Sequence, residues 1–150
     1  MAVSASDLDR FVTAQSRDYA RALAELRAGR KQSHWMWYVL PQLRGLGHSH
    51  MAHTYGVAGR EEAAAYLAHP ILGPRLLECV QAVLQHTDLS AEEIFGGIDA
   101  TKFRSCLTLF AAVAPDERCF QEALSRFYEG QPDDMTLALL RTRAQSGTGP

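Results

Sequence analysis

The sequence predicts an all-α protein, a single compact domain of about seven or eight helices around a buried central helix. Apolar residues recur every three or four positions along most of the chain, as in amphipathic helices. No two alternating segments are joined by a hairpin turn, and neither a repeat nor a linker divides the 150 residues. We therefore expect residues 1–143 to form the domain, and residues 144–150, which are small and polar, to be a disordered tail.

The first helix is predicted to begin at Ser6, a capping residue that is followed by acidic side chains suited to the positive end of a helix dipole. Gly29 is expected to end this helix. Gln15 is a polar member of its apolar stripe, and two alternatives remain open for it. Either its amide bonds to the backbone of a neighbouring helix, or it faces a ligand.

A short, wholly buried helix is predicted for residues 34–40, because almost every side chain in it is apolar. Ser33 would cap this helix, and Pro41 follows it closely. A strand is the alternative, since aromatic residues and valine also suit strands. Gly45 and Gly47 then indicate a loop.

The remaining helices are predicted from their start signals. These are Ser49, Gly59, Gly73 or Pro74, Ser90, Asp99, Pro115-Asp116, and Asp133 or Asp134. Ser90 and Glu93 form the S-x-x-E pattern of a capping box. The helix that Asp99 would cap is apolar on every side in its later part, so we expect it to be the central buried helix.

Composition argues against several functional classes. The net charge of −2 argues against non-specific binding of nucleic acid, which requires a basic surface. No stretch approaches the length of a membrane span, and the first residues lack the pattern of a signal peptide. The three cysteines, Cys79, Cys106 and Cys119, have no C-x-x-C spacing and are expected to be reduced thiols. We therefore expect a cytoplasmic protein with neither nucleic-acid nor membrane partners; the sequence predicts no oligomeric state.

Neither a metal nor a cofactor is expected. His48, His50 and His53 lie close together, but no carboxylate is near them and no H-E-x-x-H helix occurs, so a solvated loop is favoured. The sequence also lacks G-x-G-x-x-G, G-x-x-x-x-G-K-[ST] and G-x-S-x-G. This argues against Rossmann cofactors, P-loop hydrolysis and the usual serine hydrolases.

Residues 29–47 contain both tryptophans of the chain. The candidate ligand-binding residues in this segment are Lys31, His34, Trp35, Trp37, Gln42, Gly45 and Gly47. In one interpretation both tryptophans are core anchors. In the other they line a pocket, where an indole stacks on a planar ring, Lys or His contacts phosphate, and the glycines let backbone N–H groups approach the ligand. If the segment is helical, Lys31, His34 and Tyr38 share one face.

A second candidate cluster surrounds the start of the central helix. Gly96 and Gly97 precede a first turn with Asp99, followed by Lys102 and Ser105 on one face. A glycine pair before a helix N-terminus can seat an anion. The alternative is an ordinary helix cap followed by a surface lysine.

Three segments carry a resemblance to a known family. They read "GRKQSHWMWYVLPQLRGLG", "EEAAAYLAHPILGPRL" and "IFGGIDATKFRSCLTLFAAVAP". Across roughly residues 8–140 the chain resembles an uncharacterised bacterial family known as domain of unknown function 1810, sometimes labelled calpastatin-like. This resemblance implies a mainly helical fold and no particular function. The calpastatin label is not credited, because calpain inhibitors are long, disordered and repetitive.

A more distant resemblance is to the NADAR family, the NAD- and ADP-ribose-associated proteins. It rests on residues 9–15 ("DRFVTAQ") and on the spacing of apolar and polar residues in residues 66–96. In the second segment, Phe95-Gly96 occupies the place of a Trp-Gly pair of that family. The resemblance implies cleavage of N-glycosidic bonds to ADP-ribose or ribose phosphate.

Three functional hypotheses follow. The first is an N-glycosidase for ADP-ribose-like or ribosyl-phosphate nucleotides, with Asp9 or Asp99 as the carboxylate that stabilises an oxocarbenium ion or acts as a base. The second is a non-catalytic module that binds a nucleotide or phosphorylated metabolite through the same residues. The third is a structural or interaction protein in which both tryptophans are only core.

Overall fold

The computed structural model describes the backbone of residues 5–147 and the side chains of residues 7–143, and this part of the chain is all-α. The helices are α1 (Ala5–Ala28), α2 (Met36–Val39), α3 (His50–Tyr55), α4 (Arg60–Ala68), α5 (Leu72–Leu84), α6 (Ala91–Phe95), α7 (Gly97–Val113), α8 (Arg118–Tyr128) and α9 (Asp134–Gly147). The described residues form nine helices, one or two more than the predicted seven or eight, and each of them lies at or near one of the helix starts that the sequence predicts. Extended pairing in residues 5–147 is limited to one bridge between Leu43 and Val57.

Helix α7 is central, as predicted. Most of its side chains from Phe103 to Ala111 are buried, and it packs against α4, α6, α8 and α9. The predicted cap was wrong: Gly96 is the residue before the helix, and Asp99 lies inside the first turn. Asp99 is therefore free to pair with cations from other segments.

Helix α1 packs along α5 and against α2. It already includes Ala5, so the predicted start at Ser6 is corrected to an earlier position. Gly29 follows its last turn with a φ of 78°, in the left-handed region that favours glycine, and it ends the helix as predicted. The loop that follows lies against α6, where Lys31 bonds to the backbone of Ile94.

Helix α2 is shorter than predicted. It has four residues and is preceded by Trp35, so the predicted cap at Ser33 was wrong. Because the chain is not helical from Lys31 to Trp35, the proposed helix face of Lys31, His34 and Tyr38 does not exist. The cause is tertiary, since the hydroxyl of Ser33 donates to the Glu25 carboxylate of α1 instead of capping a helix.

Local start signals elsewhere are confirmed. The hydroxyl of Ser49 accepts from the Ala52 N–H at the start of α3, and Ser90 with Glu93 forms the predicted capping box of α6. Pro74 lies in the first turn of α5. Helix α9 continues to Gly147, further than the predicted boundary at residue 143, while residues 148–150 lie outside the described part. None of the described helices is long and apolar enough to cross a bilayer.

Candidate functional site

Both lysines of the chain meet at one carboxylate. Lys31 and Lys102 are the only lysines among fifteen basic Lys and Arg residues. Lys31 Nζ lies 2.8 Å from Asp99 Oδ2, and Lys102 Nζ lies 3.4 Å from Asp99 Oδ1. The two candidate clusters that the sequence indicated separately are therefore one site, in which two ammonium groups share a single carboxylate.

Each lysine also lies over one of the chain's two tryptophans. Lys31 Nζ is 5.0 Å from the centroid of Trp35, and Lys102 Nζ is 3.6 Å from the centroid of Trp37. Such cation–π contacts contribute about 0.5–2 kcal/mol, depending on desolvation. We call Lys31, Trp35, Trp37, Asp99 and Lys102 the lysine–indole cluster.

The indoles of this cluster hold the lysines, which differs from the expected stacking on a ligand. Trp35 is 1% exposed, so neither of its faces is open to a small molecule. Trp37 is half-buried against the core, with Lys102 over its ring. A bound ligand would thus meet ammonium groups that the indoles position.

The fold brings this cluster together through the end of α1. After Gly29, the backbone N–H of Lys31 donates to the carbonyl of Ile94 in α6, with 2.7 Å between the atoms. Because α6 leads directly into α7, this bond sets Lys31 beside Asp99 in the first turn of α7. The Nζ of Lys31 also donates to the carbonyl of Ser33.

Glu25 supports the cluster from α1, and the sequence reasoning missed it. Its carboxylate accepts from the backbone N–H groups of Gln32 and Ser33, from the Ser33 hydroxyl and from the Trp35 indole N–H, over 2.6–3.0 Å. Burial disfavours the ionised form of this carboxylate, but the four hydrogen bonds outweigh burial and lower the pKa of Glu25 to about 2. One signal was available: an acid in the last turns of a helix opposes the dipole unless other donors hold it.

The exposed side of the cluster is the N-terminus of α7. The side chains of Asp99 and Lys102 are each 20% exposed, whereas that of Lys31 is 7% exposed. Gly96 offers no side chain to cap the helix, and a Cβ on Gly96 or Gly97 would meet no atom within 4 Å. The first N–H groups of α7, which lack partners within the helix, therefore lie at an open surface in the turn that carries Asp99.

Gln15 lies apart from this cluster and is 1% exposed. Its amide nitrogen donates to the carbonyl of Tyr38 at 2.7 Å and to the hydroxyl of Tyr66 at 2.9 Å. Arg75 donates to its amide oxygen at 3.4 Å. The amide thus bonds to the backbone of a neighbouring helix, one of the two alternatives that the sequence left open.

Asp9 is not brought to Asp99. It is an exposed residue near the start of α1, and the helix continues for about 28 Å from Asp9 to Ala28 at about 1.5 Å per residue. Asp99 pairs with Lys31, which follows that end of α1. The two candidate catalytic carboxylates therefore cannot act on one bond.

His34 and Ser105 border the cluster in sequence but do not join its contacts. His34 is exposed, and its carbonyl accepts from the Tyr38 hydroxyl at 3.2 Å. Ser105 is 4% exposed, and its hydroxyl donates to the Thr101 carbonyl within α7. Ser105 therefore faces the core, although it lies one turn from Lys102.

The glycine loop after α2 is filled by protein atoms. A Cβ on Gly45 would lie 2.8 Å from Nη2 of Arg143, and one on Gly47 would lie 3.0 Å from the Cβ of Ala52. The Gln42 carbonyl accepts from the Val57 N–H at 2.9 Å. The space that these glycines provide is used by the chain itself.

One surface depression lies away from the cluster. A shallow depression of about 400 Å³ on α8 is lined by Pro115, Arg118, Gln121, Glu122 and Ser125. Among the side chains that the structure describes, no three His, Cys, Asp or Glu residues are grouped as ligands for a metal ion.

Comparisons with known proteins give one family and one solved structure. The sequence model of a family described as "Protein of unknown function (DUF1810)" matches residues 5–140. The structure is similar to the crystal structure of the conserved hypothetical protein Rv1873 from Mycobacterium tuberculosis, with a TM-score of 0.89 and 51% identity over 90% of this chain and 96% of that chain. No curated protein matches. These findings give no support to the resemblance to NADAR proteins.

Proposed function

We propose, from the premise that the chain belongs to the DUF1810 family of proteins of unknown function, that it binds a nucleotide or another small phosphorylated metabolite at the lysine–indole cluster. One observation carries the proposal: the ammonium group of Lys102 lies between Asp99 and Trp37, partly exposed, at the uncapped N-terminus of α7. Two ammonium groups and free helix N–H groups favour a phosphate in the same place.

The charge arrangement supports an anion as the ligand. Lys31 and Lys102 share one carboxylate, so neither ammonium group has an anionic partner of its own. The indoles keep both ammonium groups desolvated on one side, and this strengthens their attraction to an incoming anion. Ile98, which is 78% exposed next to Asp99, gives this surface an apolar neighbour for the rest of the ligand.

Binding is favoured over glycosidic cleavage. Enzymes that use two carboxylates hold them about 5–9.5 Å apart. Asp9 lies near the start of α1, whereas Asp99 lies in the first turn of α7, paired with Lys31 beyond the other end of α1. The carboxylate that remains, Asp99, has both oxygens engaged in ion pairs with lysines, which leaves no free oxygen to act on a sugar carbon or on water.

Intrinsic fluorescence and thermal unfolding test the proposal. Because both tryptophans belong to the cluster, their emission reports on it directly. We expect inorganic phosphate, ribose 5-phosphate, ADP-ribose or ATP to change the emission and raise Tm, since a ligand at 100 times its Kd adds about 2.7 kcal/mol to the free energy of unfolding. Lys102→Gln should remove both effects, and Arg118→Gln, an exposed change on α8, should keep them.

Two outcomes would contradict the proposal: no response to any of these ligands, or a full response in Lys102→Gln. Incubation with NAD and ADP-ribose derivatives, with detection of the freed base, separates binding from turnover. Base release that Asp99→Asn abolishes would favour the N-glycosidase instead.

A further inference from the structure

A second group of cations lies near the start of α1. Arg10 of α1, Arg44 of the loop after α2 and Arg143 of α9 converge on residues 53–58, which form the end of α3 and the loop to α4. We call these three residues the arginine cluster. The hydrogen bonds and ion pairs of these arginines in the described part of the chain involve no member of the lysine–indole cluster, so the two clusters are distinct sets of contacts.

Each member donates to backbone carbonyls of this segment. Arg10 Nε donates to Thr54 at 2.9 Å, and Arg44 Nε donates to His53 at 3.0 Å. Arg143 Nη1 donates to Ala58 at 3.1 Å. The carbonyls fix the positions of the guanidinium groups without neutralising them.

One buried carboxylate, that of Glu62, lies beside the arginine cluster and forms its ion pair with Arg10. Arg10 Nη2 lies 2.8 Å from Glu62 Oε1, and Arg10 Nη1 lies 3.0 Å from Oε2, so this pair is bidentate. Among the described side chains, Arg44 and Arg143 form no ion pair with an Asp or Glu. Arg44 is close enough to Glu62 to help lower the pKa of that carboxyl, but no carboxylate of the described side chains lies within ion-pair distance of Arg44 or Arg143.

The fold brings these two arginines together despite their like charge. Nη2 of Arg143 donates to the carbonyl of Arg44. The pKa of Arg143 is lowered mainly by burial and, to a smaller extent, by the positive charge of Arg44. Gly45 makes the approach possible, because its φ is 107° and a Cβ there would lie 2.8 Å from Nη2 of Arg143. Because like charges repel, holding Arg44 and Arg143 near each other adds no stability by itself to a purely structural contact.

Donor groups remain for a ligand. A guanidinium has five N–H groups, and the hydrogen bonds described above use one of Arg44 and two of Arg143. Both residues are half-buried, so part of each remains open to solvent. Paired guanidinium forks match the oxygen spacing of phosphate better than ammonium groups do.

We propose that Arg44 and Arg143 form a second anion site, which takes a phosphate group from inorganic phosphate or a small phosphate monoester. An anion there compensates the two charges that the fold leaves unpaired. This site is independent of the lysine–indole cluster, and either proposal can fail without the other.

NMR of the arginine Nε–H signals tests the site, with titrations at constant ionic strength in the Lys102→Gln background. We expect inorganic phosphate and ribose 5-phosphate, but not chloride, to shift the signals of Arg44 and Arg143 to saturation. A response to the monoester alone would identify it as the ligand, and a response to both would identify the phosphate group. Arg143→Gln should weaken binding about tenfold or more, since hydrogen bonds to charged groups contribute about 1.5–3 kcal/mol.

The matched control is Arg141→Gln, an exposed arginine two residues away on α9, which should bind as the parent does. If Arg143→Gln fails to fold, Arg143→Lys keeps the charge without the fork and should still weaken binding. Three results would overturn the second site: no shift of the Arg44 and Arg143 signals with phosphate, an equal shift with chloride, or a loss of phosphate binding in Arg141→Gln as large as that in Arg143→Gln.

Discussion

Glu25 and Trp35 are joined by a hydrogen bond: the indole Nε1 of Trp35 donates to Oε1 of Glu25 over 2.9 Å. The same carboxylate holds the backbone of Gln32 and both the backbone and hydroxyl of Ser33. One side chain of α1 thereby fixes the loop that presents Lys31 to Asp99. The stability of this loop and the geometry of the lysine–indole cluster should therefore depend on Glu25.

The change Glu25→Gln should lower the free energy of unfolding by about 1–3 kcal/mol, because the amide replaces one acceptor oxygen with a donor that faces the existing N–H and O–H groups. Urea denaturation followed by circular dichroism measures the difference. Glu61→Gln is the control, since Glu61 is exposed on α4 and should change stability little. Equal effects of the two changes would contradict the role given to Glu25.

The same carboxylate makes a contribution that depends on pH. Its pKa is about 2 in the folded protein against an ordinary value of 4.5, so the unfolded chain takes up the proton first as the pH falls. The stabilisation from ionised Glu25 is complete above about pH 4.5 and is lost between that pH and about 2. The stability difference between the wild type and Glu25→Gln should shrink across this window; a constant difference would show that ionisation is not the source.

Local signals in the sequence succeeded where no distant partner competes. Ser49 and Ser90 cap their helices as predicted, because their acceptors and donors lie within three residues. Ser33 and Asp99 carry equally good capping side chains but bind Glu25 and the lysines instead. Long-range charge and hydrogen bonding outweigh a cap that contributes about 1 kcal/mol.

The candidate site was predictable only in part, because the sequence shows local signals but not long-range contacts. Lys31, Lys102 and Asp99 stood out because each lies beside a helix boundary with glycine. Their meeting at one point depends on how α1 and α7 pack, and no sequence period contains that information. Arg44 and Arg143 are 99 positions apart in the chain, and neither has a local feature that marks the other as its neighbour.

Arg10 and Glu62 should be strongly coupled. Glu62 is 6% exposed, and burial opposes its ionisation, but hydrogen bonds from Arg10 and the Ala58 N–H lower its pKa overall. Arg10→Gln should cost about 3–5 kcal/mol, because it leaves a buried carboxylate without its partner. The double change Arg10→Gln with Glu62→Gln should cost less than the two single changes together, as measured by urea denaturation in a double-mutant cycle. Additive effects would show that the pair is not coupled.

Gln15→Leu separates a core role from a ligand role. The change leaves the Tyr38 carbonyl and the Tyr66 hydroxyl without a donor, and we expect a loss of about 1–3 kcal/mol in the free energy of unfolding. Phosphate-dependent changes in tryptophan emission should persist, because none of the hydrogen bonds of the Gln15 amide involves a member of the lysine–indole cluster. Gln121→Leu, an exposed change on α8, is the stability control. Loss of the emission response in a folded Gln15→Leu protein would show that Gln15 contributes to ligand binding.

The three cysteines should be unreactive in the native protein. Burial raises the pKa of Cys79 to about 12 and that of Cys119 to about 11, and it raises the pKa of Cys106 above its usual range. Because the thiolate is the reactive form, a disulfide reagent at mildly alkaline pH should label none of them quickly, whereas denaturing urea should expose all three. Fast labelling of one thiol in the folded protein, located by mass spectrometry, would contradict this prediction.

The substitution of glycine by alanine should have opposite effects at two helix starts. Gly73 lies in the first turn of α5, where a Cβ would overlap the carbonyl oxygen of Leu67, and backbone cannot move aside as a side-chain end does. Gly73→Ala should therefore cost about 1–3 kcal/mol. At the start of α7, a Cβ on Gly97 meets no atom within 4 Å, so Gly97→Ala should add about 0.4–1 kcal/mol by reducing the entropy of the unfolded chain. Thermal unfolding of both variants measures the contrast, and a similar change in Tm for the two would mean that α4 and α5 do not approach through Gly73.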